Sequence, residues 1–467
     1  MSTSPSHTTP TPDEPSTYNF SRLLELSILF YEAQRSGHLP ANNRVPWRNH
    51  SALTDGSDVE LDLTGGWYDA GDTIKFTLPM AASVTRLAWS LIMWPDAYST
   101  SGQTEYMFDC IKWPLDYFLK CWNSATQVFY VQVGDIEHDH AVWTRPQDMT
   151  MPRPAYSVTT SNPGSDVAGN TAAAMAAGAI AFKTKDSVYS ARLLTAARTL
   201  YDFAVRNTGI YSVSVPQAHT AYGSSGYKDE LSLAAVWLYK ATGEQHYLDA
   251  AVDSKPTWVP WALDWDDKSA AAALLIYQET GGASFRTLVT SFISSYMPGG
   301  TVSYTPCGLA FRLKWGSLRY TANVAMLALL AADSMGGEEA ESYRSWAYGQ
   351  IAYMLGDNNY NMSYLIGYSD FYPRRPHHQA ASCDSSSSCN WATLENPDPN
   401  PHNLLGALVG GPGRNDDYDD VRADYVKNEV TVDYNAGFQA AVAGLLHLKN
   451  MDALPTPSLI KEAGCAS

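Results

Sequence analysis

The sequence predicts an all-α fold, a single (α/α)6 barrel of six helical hairpins, on three observations. About twelve stretches carry helical periodicity, strand signals are few, and the connecting segments are long and rich in Gly and aromatic residues. An even set of helices joined in this way suggests a toroid of hairpins with long loops forming an open cleft. Loops on such a rigid scaffold commonly carry the chemistry. A layered helical repeat protein fits the pattern nearly as well, and no fixed short repeat separates the two.

The first helix is expected within Tyr18–Gly37, where Leu23, Leu26, Phe30 and Ala33 recur at helical spacing and Gly37 reads as a stop. Similar patterns run through Met80–Trp94, Glu105–Trp122, Val167–Lys183, Tyr189–Arg206, Lys228–Ala241 and Tyr247–Val252. They continue through Lys268–Thr280, Ser284–Tyr296, Tyr320–Ser334, Glu339–Leu355 and Asn435–Lys449. Strands are expected at Val128–Val133 and Thr301–Tyr304. No low-complexity break interrupts this series, so one domain is expected over residues 18–450. A Ser/Thr/Pro-rich linker (1–17) precedes it and a tail (451–467) follows.

At 467 residues the chain can bury a large core without help from metals or disulfides. Fourteen Trp and 29 Tyr exceed what such a core usually needs. Aromatic faces stack on the C–H faces of sugars, and the polar tips of Tyr and Trp tolerate water; a Tyr-rich core and surface is the plainer alternative. The net charge of -17, from 48 acidic and 31 basic residues, argues against nucleic acid and anionic membranes, and suits a neutral polymer. No run of about 18 apolar residues is present to span a membrane. The N-terminus has no charged and apolar leader, so the expected extracellular location supposes a signal peptide absent from this sequence. Cys383 and Cys389 bracket Asp-Ser-Ser-Ser-Ser and could close a small surface loop. Cys110 and Cys121, 11 apart in one helical pattern, are too far to bridge.

Two acidic segments stand out. Gly65-Gly66-Trp67-Tyr68-Asp69-Ala70-Gly71-Asp72 places two carboxylates around small residues, so both can approach one water. One carboxylate can orient that water while the other takes its proton. A turn capping the helix near Leu78 would use the same residue types. The second segment runs from Tyr418 through Tyr425 to Glu429, then into Val430-Thr431-Val432-Asp433-Tyr434. Packed beside Tyr425 and Tyr434 and fixed by the following helix, Glu429 would be desolvated, which raises a carboxyl pKa toward general-acid use. A surface Glu near a helix N-terminus is the simpler reading.

Together these segments resemble family 9 of the glycoside hydrolases, the inverting endo-β-1,4-glucanases or cellulases, over about Tyr18 to Leu448. The resemblance implies Asp72 as general base, Asp69 as its partner in holding the nucleophilic water, and Glu429 as general acid. Inversion further requires acid and base carboxyls roughly 6.5–9.5 Å apart. The implied substrate is a β-1,4-glucan (cellulose, carboxymethyl cellulose or mixed-linkage β-glucan), bound by a monomer.

The same likeness implies a binding cleft. Pro373-Arg374-Arg375-Pro376-His377-His378 is similar to the family's second signature, with His377 against the sugar near the scissile bond. Gln379 follows where the family has Arg, losing a charged fork for sugar hydroxyls, and Ser369-Asp370-Phe371 departs from the usual Gly-x-Asn. His140 and Trp143 resemble a subsite pair, and Trp261, Trp315, Arg319, Tyr320 and Tyr434 are implied as stacking platforms and hydroxyl partners. A structural calcium is implied at Ser225, Gly226, Asp229, Glu230 and Asp266, where carboxylates and carbonyls suit a hard cation. An acidic first helical turn accounts equally for Asp229 and Glu230. A catalytically idle glucan-binding protein, or another α/α-barrel polysaccharide hydrolase or lyase, stands as the alternative.

Overall fold

The structure, a computed structural model, describes residues 18–254, 258–384, 388–463 and Cys465. The expected linker at 1–17 lies outside the described residues. Among the described residues, twelve helices have nine residues or more. They are α1 (Phe20–Ala33), α2 (Thr77–Met93), α3 (Thr104–Cys121), α4 (Ser165–Phe182), α5 (Ser187–Arg206) and α6 (Lys228–Thr242). The second half comprises α7 (Gln245–Asp253), α8 (Ser269–Thr280), α9 (Ala283–Tyr296), α10 (Ser317–Met335), α11 (Gly337–Met354) and α12 (Val432–Asn450).

The even-numbered helices form a closed inner ring. Each packs on the next, α2 on α4, α6, α8, α10 and α12 in turn, and α12 returns to α2. The odd-numbered helices lie outside, each against an inner neighbour. Composition explains the division. Inner helices such as α4 (SDVAGNTAAAMAAGAIAF) and α8 (SAAAALLIYQET) are small-residue rich and buried almost all round, as a helix without a solvent face must be. Outer helices such as α5 alternate a buried stripe (Leu193, Ala197, Leu200, Ala204) with charged residues. The predicted (α/α)6 barrel is therefore the observed fold, with each expected helix present.

One expectation is corrected. Gly37 does not stop the first helix, which ends at Ala33. It pairs with Ser51 through both backbone groups and holds a φ of 91°, where a Cβ would stand 2.8 Å from Gly65 N. Its lack of a side chain serves close backbone approach to the Gly65-Gly66 turn.

Short strands lie on the loop side. β1 (Lys75–Phe76), β2 (Trp122–Asn123), β3 (Val128–Val133) and β4 (Ala155–Val158) form an antiparallel sheet in which β3 pairs with all three others. A second hairpin joins β5 (Ser303–Tyr304) to β6 (Ala310–Phe311). Cys383 and Cys389 form a disulfide, and so do Cys307 and Cys465, while Cys110 and Cys121 are free and buried. The segment after α12 runs back along α11, where Ser458 N–H donates to Ser345 O at 2.9 Å. Gly349 leaves room for it, since a Cβ there would meet Ser458 O at 1.9 Å. Among the described residues no helix is long and apolar enough to cross a membrane.

Candidate active site

The loop between α1 and α2 brings up the first carboxylates. Gly65 and Gly66 adopt left-handed φ angles of 94° and 73°, and a Cβ on Gly66 would strike Tyr117. Buried Lys75 secures this turn, donating to Leu63 O and Gly65 O at 2.7 and 3.0 Å while pairing with Asp55 at 2.8 Å. Asp69 is then buried, its backbone N–H on Ile74 O and its carbonyl receiving Val432 N–H from α12, both at 2.9 Å. Tyr222 O–H donates to its Oδ2, whereas its Oδ1 is buried without a protein partner. Burial, reinforced by the charge of Asp72, holds the Asp69 carboxyl well above the usual range.

Asp72 is half-buried. Its Oδ1 accepts Ile74 N–H at 3.2 Å, the turn its residue type favours, and its Oδ2 faces His140 Nε2 at 3.2 Å. That hydrogen bond is the main reason the His140 imidazole is pushed up to about 9. Gly71 is indispensable here, because a Cβ would lie 2.1 Å from His377 O. The glycine thus lets the Asp72 loop touch the His377 segment, where Gln379 N–H donates to Gly71 O at 2.7 Å.

That segment continues the assembly. His377 bridges in parallel to Glu429, with His377 N–H on Asn428 O at 2.8 Å. Glu429 stands just before α12, which is anchored by a buried ion cluster: Asp433 takes Arg86 of α2 at 2.6 Å and Arg319 of α10 at 3.2 Å. The Glu429 Oε2 accepts the Trp315 indole N–H at 3.0 Å. Burial raises the Glu429 pKa to about 7 against that hydrogen bond, with the Asp72 charge adding to the rise. The two carboxylates therefore sense each other, yet no hydrogen bond joins them among the described residues.

The implied cleft residues divide into two sets. Trp261, Trp315 and His140 are exposed, and His377 is half-buried with its Nδ1 against Arg422 O at 2.8 Å. Trp143 is only 5% exposed and packs edge-on against His377. Arg319, Tyr320 and Tyr434 are buried beneath: the guanidinium sits 4.4 Å from the Tyr320 ring centroid and 5.3 Å from that of Tyr434. Trp261 stands edge-on to Tyr320 at 5.7 Å, connecting the sets. Gln379 is buried and donates to Asp139 at 3.3 Å, away from open solvent. A surface cavity of about 630 Å³ beside His50, Asp58 and Met149 includes none of the predicted site residues.

At the expected calcium position, Ser225 N–H donates to Asp266 Oδ1 at 2.8 Å and Lys268 N–H to Asp229 Oδ2 at 2.7 Å. The Lys268 ammonium holds Glu230 Oε1 at 2.8 Å, but Glu230 Oε2 is buried without a partner. Asp229, Glu230 and Asp266 outnumber the single ammonium, and the orphaned carboxylate oxygen among them fits a hard cation. Among the described residues, the side chains that converge within 4.8 Å as a metal-type group are Asp72, Asp139 and His140. A cation near Glu230 would thus draw on backbone oxygens as well.

Sequence reasoning missed Tyr222 and gave Asp139 no role of its own, whereas Tyr425 was expected beside Glu429. Asp139 adjoins the expected His140 and is buried against Thr73 and Gln379. Tyr425 stacks between Trp315 and His377 at 5.3 and 6.1 Å. Adjacency to His140 would have flagged Asp139; nothing local marks Tyr222.

Comparison with known proteins gives a consistent result. The family model described as glycosyl hydrolase family 9 matches residues 20–442. Endoglucanase A of Bacillus pumilus is 43% identical over 449 residues, covering 93% of this chain and 67% of that protein. The endoglucanase structure from the termite Nasutitermes takasagoensis aligns with a TM-score of 0.89 at 46% identity, covering 92% of this chain and 99% of that one. The cellulase Cel9M of C. cellulolyticum in complex with cellobiose aligns with a TM-score of 0.86 at 35% identity, over 92% and 99% of the two chains.

Proposed function

The chain belongs to glycosyl hydrolase family 9 and is a glycoside hydrolase of the endoglucanase kind; on that premise we propose that it hydrolyses internal β-1,4-glucosidic bonds with inversion. Glu429 is the general acid, protonating the leaving glycosidic oxygen. Asp72 is the general base, removing a proton from water on the opposite face of the ring, and Asp69 holds that water with its free Oδ1. The His140 imidazole, pushed up to about 9 chiefly by its hydrogen bond to Asp72, stays charged beside it. One observation carries the reading: a cleft carboxyl raised to about 7 stands across from an Asp pair that retains an unpaired oxygen.

Trp261, Trp315, Tyr425 and His377 supply the exposed stacking surface, with Arg319, Tyr320 and Tyr434 stiffening it from beneath. The sugar-bound relative supports a β-glucan as substrate. Calcium held by Ser225, Gly226, Asp229, Glu230 and Asp266 would neutralise the acidic turn that opens α6; it takes no part in bond cleavage. Two disulfides support an extracellular site of action.

The test follows hydrolysis of carboxymethyl cellulose and cello-oligosaccharides, reading viscosity and product anomer by NMR. Rapid viscosity loss with fresh α-anomer is expected. Glu429→Gln and Asp72→Asn should each lower kcat by about 10²- to 10⁴-fold. A β-anomeric product would overturn inversion, and binding without turnover in the wild type would mark a glucan-binding protein instead.

A further inference from the structure

A row of rings leads away from Glu429: Trp315, Tyr425, His377 and Trp143, spaced at 5.3, 6.1 and 5.1 Å between centroids. One more ring follows. Trp391 lies 6.4 Å from Trp143 with its plane tilted by 42°, and is 48% exposed.

Trp391 opens the five-residue helix Trp391–Glu395, none of whose residues is buried. The helix contributes nothing to the core, yet it is held firmly. Asn390 and Thr393 form a reciprocal capping box at its start. Arg422, itself buried, donates to Thr393 O, Asn396 O and Asp398 O at 2.5, 2.8 and 2.7 Å, fixing the segment just after the indole. The Arg422 carbonyl also receives His377 Nδ1–H, so one residue positions both His377 and the Trp391 helix. The Trp391 indole N–H meets Ala141 O at 3.3 Å, between His140 and Trp143 in the chain. A half-exposed indole fixed at several points, with its hydrogen-bonding group already occupied, offers an apolar face and nothing else.

We propose that Trp391 is a distal glucosyl platform, stacking on a sugar ring of the bound glucan beyond the one that meets His377. The proposal rests on the reading of the cleft as a β-glucan site and deepens it. It makes the cleft one platform longer at the Trp143 end than the predicted residues alone. Its energy is available only to chains long enough to reach it.

The experiment compares KM and kcat of wild type, Trp391→Ala and Trp391→Phe on cellotriose and cellohexaose, with thermal unfolding as a check on folding. Trp391→Ala should raise KM for cellohexaose roughly five- to tenfold, leave kcat and cellotriose unchanged, and recover largely in Trp391→Phe. Equal losses on both oligosaccharides would make Trp391 a prop for Trp143 and overturn the proposal, as would no loss on either. A wild-type enzyme inert on every cello-oligosaccharide would strike instead at the reading of the cleft itself.

Discussion

Three influences meet at the Glu429 carboxyl: burial pushes its pKa up, the Trp315 indole pulls it down, and the Asp72 charge pushes it up again, to about 7. The acid form is thus spent as pH rises through that value, so kcat should fall on the alkaline side with an apparent pKa near it. Trp315→Phe removes the donor that favours the anion and should move this limb to higher pH, read from a pH–kcat profile. The same shift acts on stability. The folded pKa exceeds the ordinary 4.5, so the native state holds an extra proton between those values and loses stability as pH rises through the window. Glu429→Gln, neutral throughout, should therefore raise Tm by about 1–3 °C near pH 8, with little change near pH 4. Tyr222→Phe removes the only side-chain donor to Asp69 among the described residues and should lower kcat about tenfold with KM unchanged, since Asp69 is proposed to meet the water and not the sugar. Asp69, Asp72 and Glu429 were legible because each sits in a dense local pattern. Tyr222 was not: one Tyr among 29 acquires its role only when the chain folds it over Asp69.

At the scale of elements, helical periodicity revealed all twelve long helices, because each must bury a stripe or its whole circumference. Which helices form the inner ring was legible only in part; the Ala-rich runs of α4 and α8 suit a position without a solvent face. Gly37 was misread because a glycine after a helix and a glycine at a backbone crossing look alike in one sequence. Gly71 shows what such a crossing does for function. Gly71→Ala would push a Cβ into His377 O, separating the Asp72 loop from the segment that bridges to Glu429. We expect a stability loss of roughly 1–3 kcal/mol by denaturant unfolding, and a fall in kcat of about 10²-fold from the misplaced carboxylates.

Across the whole molecule, long-range pairings carried the least sequence signal. The Cys383–Cys389 bridge follows from short spacing, whereas Cys307–Cys465 spans 158 positions and depends on the final segment lying along α11. The proposed calcium can be tested at this scale: chelation should lower Tm while leaving kcat on a soluble glucan unchanged below the new transition. Ring closure has a further consequence. Asp72 hangs on the loop entering α2 and Glu429 on the loop entering α12, and these helices touch only where the last meets the first. A chain whose α12 has not docked on α2 leaves these two carboxylates on unjoined ends of the ring. The proposed hydrolysis therefore waits on closure of the circle.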